Sequence, residues 1–131
     1  MPRDAADTSE KKAFLRQLKE RRGYLLDYHK VLAAEDLSFL KALGDVLNVA
    51  YSSERTLSKK VKELIFIAVL TTTGGPKEIK LHMELAKKLG VTKEEVLEVL
   101  EILVLPCGLP RFFIGYEVWT ECFDVSRIEP D

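Results

Sequence analysis

The chain predicts an all-α fold of about six helices, on three observations. Apolar residues recur at three- and four-residue spacing over most of its length. No stretch alternates with period two, and no Asn-Gly or Asp-Gly pair marks a hairpin. Helix start and stop signals punctuate the pattern. A length of 131 residues argues for one domain over 1–131, with 1–10 and 126–131 expected as flexible ends.

The first helix is expected from Thr8 or Ser9 to about residue 34, interrupted near Gly23. Phe14, Leu18, Leu25, Tyr28 and Leu32 form its apolar stripe. Asp36 is a good N-cap for a second helix reaching about residue 50, with Phe39, Leu40, Leu43, Leu47 and Ala50 apolar. Residues 51–57 connect it to a third helix, capped by Ser58. That helix opens polar and turns apolar on every face over 64–70, the pattern of a helix buried on all sides. Thr73-Gly74-Gly75-Pro76 breaks the chain. Pro76 suits the first position of a fourth helix, which stops at Gly90. Thr92 and Glu95 make a capping box, and Val91 against Val96 a hydrophobic staple, so the fifth helix starts there. It packs Val96, Val99, Leu100 and Leu103 and exposes Glu94, Glu98 and Glu101. Pro106-Cys107-Gly108-Leu109-Pro110 is a second break. The sixth helix carries Phe112, Tyr116, Trp119 and Phe123 at helical spacing, as core or as subunit interface.

Composition narrows the function. Lys+Arg is 20 and Asp+Glu is 21, so the basic excess typical of nucleic-acid binding is missing. Two cysteines, Cys107 and Cys122, are too sparse for a disulfide framework and read as reduced thiols. Residues 1–12 lack the apolar stretch of a signal segment. The longest apolar run, 64–70, is far short of the ~20 residues a membrane helix needs. A cytoplasmic protein is expected, with neither nucleic acid nor membrane as partner. The run at 64–70 and the aromatic sixth helix together exceed what one small helical domain covers. Part of this surface is expected to be the interface of a homo-oligomer.

The best candidate for chemistry is the start of the fourth helix. Glu78 and His82 stand four residues apart and share one face. A carboxylate fixes an imidazole's tautomer and raises its basicity, which makes the pair a proton-transfer unit near neutral pH. The same spacing is common on ordinary helices. Glu63, by pattern alone, is a surface carboxylate paired with Lys59 one turn earlier. His29 reads as a surface or capping histidine. Cys107 sits beside a glycine in a Pro-flanked loop, as a buried, inert thiol or a reactive one. No His, Cys, Asp and Glu spacing matches a zinc site, and Gly74-Gly75 lacks the Lys-Ser/Thr of a phosphate loop.

Three stretches carry a resemblance: residues 57–65 (LSKKVKELI), His82 with Ala86 and the run GVTKEEV at 90–96, and Cys107-Gly108-Leu109-Pro110. In order and spacing they resemble the carboxymuconolactone decarboxylase family, within the alkylhydroperoxidase D-like superfamily, over about 58–123. The resemblance implies a helical-hairpin core and a homo-oligomer, a trimer or hexamer. In the thiol branch of that superfamily a Cys-x-x-Cys pair precedes the histidine. Here Gly75 and Glu78 occupy those positions. The decarboxylase branch carries Glu and His where this chain has Glu78 and His82, followed by a loop like 105–110. Glu63 matches the glutamate of the thiol branch's proton relay. The implied activity is cofactor-free decarboxylation or proton transfer on a small anionic, carboxylated lactone-type substrate. His82 would be the proton donor or enolate stabiliser, Glu78 its orienting or relay acid, and Glu63 a supporting acid. Arg111, just after the Cys107 loop, is the first candidate cation for substrate carboxylates and Arg55 the second, with Cys107 itself among the substrate-binding residues. A thiol-dependent antioxidant protein and a non-catalytic, oligomeric small-molecule-binding protein are the competing readings.

Overall fold

The computed structural model describes residues 7–131. Among them there are seven α-helices and one π-helical turn, and no strand. The chain divides into two compact units, 1–53 and 54–131.

In the first unit, α1 (Thr8–Arg22) is capped by Asp7, whose Oδ1 accepts from the Glu10 amide at 2.8 Å. Basic residues in its last turn suit the helix's negative end. The single long first helix that the sequence suggests is in fact two. Gly23 adopts φ 83° and sends its N–H back to the Lys19 carbonyl, a left-handed C-cap that ends α1. The chain restarts as α2 (Asp27–Glu35). His29 caps α2: its Nδ1 accepts from the Leu26 amide at 2.9 Å, and the ring is buried. Asp36 caps α3 (Leu37–Leu47) as expected, accepting from the Phe39 amide at 3.1 Å. Phe39, one of the apolar positions of this helix, is exposed. Leu37 and Leu40 are the inward residues and form a small core with Ala33. A π-helical turn, Asn48–Ser52, extends α3.

The second unit begins with a loop at 54–58 and α4 (Lys59–Thr73), capped by Ser58 Oγ. α5 (Pro76–Lys88) follows across Gly74-Gly75, and the two pack as a helical hairpin. Gly90, at φ 84°, turns the chain into α6 (Lys93–Cys107), whose Thr92–Glu95 capping box is present. The break expected at 106–110 narrows to Gly108, at φ 82°. Pro106 stays inside the last turn of α6, where it has no N–H to send back to the Ile102 carbonyl. α7 (Leu109–Cys122) closes the unit.

Ile67, Ile79, Met83, Ala86, Val96, Leu100 and Val118 form the core of this unit. Gly115 marks the tightest crossing. A Cβ there would lie 2.6 Å from Leu100 Cδ2 and 3.0 Å from Thr71 Cγ2. The 64–70 run is not buried on every side. Ile67 is fully buried, whereas Val61, Ile65 and Val69 form an exposed apolar line one turn apart. The helix is therefore one-sided within this chain. Likewise α7 turns Gly115, Val118 and Cys122 to the core, while Tyr116 is exposed and Trp119 half-buried, its Nε1 donating to the Lys93 carbonyl at 2.9 Å. The last residues, 126–131, are exposed and without helix. No helix of the described residues is long and apolar enough to cross a membrane. Of the expected flexible N-terminal end, 1–6 lie outside the described residues, and Thr8 to Glu10 already belong to α1.

Candidate functional site

α4 positions a carboxylate on its buried line. Glu63, Ile67 and Thr71 follow one another at four-residue spacing and are the buried residues of the helix. Glu63 is only 2% exposed. A lone carboxylate at that depth is costly, so it requires a partner. The partner is on the other arm of the hairpin: His82 Nδ1–H donates to Glu63 Oε1. The surface pairing of Glu63 with Lys59 that its position suggests is thus replaced by a buried pair 19 residues apart. His82 retains 12% side-chain exposure, so its ring is within reach of solvent. One face of the ring is stacked on Phe66, with centroids 4.5 Å apart and planes 18° apart. Phe66 was not singled out from the sequence. Its position three residues after Glu63, on the same side of a helix, was the available signal.

The other candidates fall elsewhere. Glu78 lies in the exposed first turn of α5. Its carboxylate lies back over Gly75, where a Cβ would sit 3.1 Å from Oε2. The carboxylate held against His82 is therefore Glu63 rather than the Glu78 that four-residue spacing offers. Arg111 is half-buried and occupied. Nε donates to the Thr71 carbonyl at 2.9 Å and Nη2 to the Gly74 carbonyl at 3.0 Å. Its cation thus sits on the C-terminal end of α4, where the helix dipole is negative. Arg55 is exposed in the loop before α4.

The cysteines are both free. Cys107 ends α6 and is half-buried. Cys122 is buried, and its thiol is pushed up to about 11 by burial first and then by a hydrogen bond with Glu84. It is protonated at neutral pH and a poor nucleophile. No three His, Cys, Asp or Glu side chains converge as a metal site among the described residues.

These features define a class before any comparison: an all-α scaffold whose helical hairpin holds a buried carboxylate against an imidazole, without a thiol pair ahead of the histidine. The model of the Carboxymuconolactone decarboxylase family matches residues 38–121, and the chain belongs to that family. The match begins 20 residues earlier than the resemblance in the sequence suggested. Two relatives from Methanocaldococcus jannaschii are similar in sequence, and both carry the name "Uncharacterized protein". MJ1511 is 28% identical over 83 residues, which cover 63% of this chain and 77% of the relative. MJ0742 is 36% identical over 67 residues, which cover 50% of this chain and 64% of the relative.

Proposed function

We propose that the protein is an enzyme that uses the Glu63–His82 pair to move a proton during cofactor-free decarboxylation of a small, anionic, carboxylated lactone-type molecule. The buried Glu63–His82 contact carries this reading. An ordinary surface helix has no need of a carboxylate at this depth. A carboxylate behind Nδ1 makes Nε2 the nitrogen that takes up and releases the proton. In the reaction the bond from the ring carbon to the carboxylate breaks and carbon dioxide leaves. The electron pair spreads through the unsaturated lactone onto its carbonyl oxygen, and His82 then delivers a proton to carbon. Glu63 stabilises the imidazolium before that transfer. Glu78, exposed one turn before His82 on α5, would return a proton from solvent. Arg55, exposed in the loop before α4, is the remaining candidate for a substrate carboxylate, because two of the Arg111 donors already hold backbone carbonyls.

Peroxide reduction through a thiol pair is the weaker reading. Gly75 and Glu78 stand where that pair would be, and the Cys122 thiol is held protonated. The exposed line of Val61, Ile65 and Val69 supports a homo-oligomer in which a second copy covers α4. The particle mass in solution tests this, and a monomer would remove it. The reaction is tested by incubating the carboxylated lactone with the protein in heavy water. Release of carbon dioxide with one deuterium on the product carbon is expected. Unchanged lactone overturns the reading.

A further inference from the structure

Two side chains of α4 approach the His82 imidazole from different directions. Glu63 meets it at Nδ1. Phe66, one turn on, lies against its face at 4.5 Å between centroids and 18° between planes. A hydrogen bond at Nδ1 tolerates a spread of ring angles about Cβ–Cγ. A flat partner on the face removes that spread. We infer that Phe66 is a positioning residue for His82: its ring holds the imidazole in the plane in which Nδ1–H stays on Glu63 and Nε2 is the proton-transferring nitrogen. The inference rests on the proton-transfer reading and adds to it the residue that sets the geometry.

The physical basis is the freedom of a histidine ring about its last torsion. That torsion is broad, so an imidazole without a face partner samples tilted orientations in which its bond to the carboxylate bends and weakens. A flipped ring would put carbon rather than Nδ1 opposite the carboxylate, so Glu63 selects the flip and Phe66 the plane. Phe66 also keeps water from one face of the ring, and a lower local dielectric strengthens the bond to Glu63. His82 thereby acts as one tautomer rather than a mixture.

The test is nitrogen-15 and proton NMR of the histidine rings in the full chain, for wild type, Phe66→Leu and Phe66→Tyr, with steady-state kinetics on the carboxylated lactone alongside. In wild type, the carbon-bound ring protons of His82 are expected upfield, under the Phe66 ring current, with the nitrogen shifts of a single Nδ1–H form. In Phe66→Leu both tautomers are expected, and kcat falls roughly 2- to 10-fold, the equivalent of one aromatic pair, with KM nearly unchanged. Phe66→Tyr restores the spectrum and the rate, which a merely space-filling residue would not require. A folded Phe66→Leu with the wild-type nitrogen pattern overturns the inference. Phe66→Met, unbranched and better able to fill the space of the ring, replaces it if the leucine variant does not fold. Wild-type His82 protons without an upfield displacement overturn it as well. The spectrum needs no turnover. A protein inert toward the lactone, yet with a tautomer mixture in Phe66→Leu, refutes the substrate and leaves the positioning role standing.

Discussion

Breaking the Glu63–His82 pair from either side should cost more than its surface appearance in the sequence suggests, and the two costs should not add. In Glu63→Ala, a side chain 2% exposed is removed and the His82 Nδ1–H loses its acceptor. A hydrogen bond to a charged group contributes about 1.5–3 kcal/mol. The cavity adds about 1 kcal/mol, and release of the desolvated carboxylate offsets part of this. A net loss of roughly 2–3 kcal/mol follows. In His82→Ala the carboxylate remains buried without the imidazole, at a cost of about 3–5 kcal/mol. The double variant escapes both penalties, so it should be less destabilised than the sum by about 1–3 kcal/mol. Urea unfolding followed by fluorescence reads this out. The chain has one tryptophan, Trp119, anchored to the Lys93 carbonyl in the second unit, so the signal reports the unit that holds the pair. Single variants whose costs add to within about 0.5 kcal/mol would refute the coupling, because independent sites behave that way.

Three further outcomes are expected. Gly115→Ala should lose roughly 1–3 kcal/mol by overpacking, since its Cβ would fall 2.6 Å from the fully buried Leu100; an unchanged urea midpoint contradicts this. The first unit should lose stability as pH falls below about 6.5. Burial, and then the Arg22 charge, hold the folded His29 below its ordinary value of 6.5, so the unfolded chain binds the extra proton first. Stability is full above that value, and His29→Gln should flatten the acid limb of a melting-against-pH curve. Native protein treated with iodoacetamide at neutral pH should leave Cys122 unmodified, because its thiol is pushed up to about 11; mass spectrometry showing both cysteines alkylated at equal rates contradicts this.

Local chemistry was the legible part. Ser58, Asp36 and the Thr92–Glu95 box act through neighbours three residues away, so the sequence contains the whole interaction. Gly23 was ambiguous, because a mid-helix glycine costs only about 1 kcal/mol and does not by itself end a helix. His29 as the cap of the next helix lies outside the usual Ser, Thr, Asp and Asn set. Pro106 is a breaker by type, yet α6 runs one residue past it to Cys107 and ends at Gly108, whose φ of 82° turns the chain.

In the site, the residue type and the helix were readable and the pairing was not. His82 stands on α5 where expected, yet its carboxylate comes from 19 residues back, across the hairpin. Spacing along one helix can suggest Glu78 and Lys59 as partners but carries no information about the facing helix. The apolar company of Glu63, in line with Ile67, was the one sign that it turned inward. Arg111 shows the converse. Its charge invited a ligand, and the fold uses it to hold the end of α4.

The most direct measurement is an ultraviolet assay of the carboxylated lactone with wild type and His82→Ala at equal concentration of folded protein. Turnover by wild type, and a fall of about 10²- to 10⁴-fold in kcat on removing the imidazole, is the expected result for a general acid. No turnover by wild type, or an undiminished rate in His82→Ala, would contradict His82 as the proton donor.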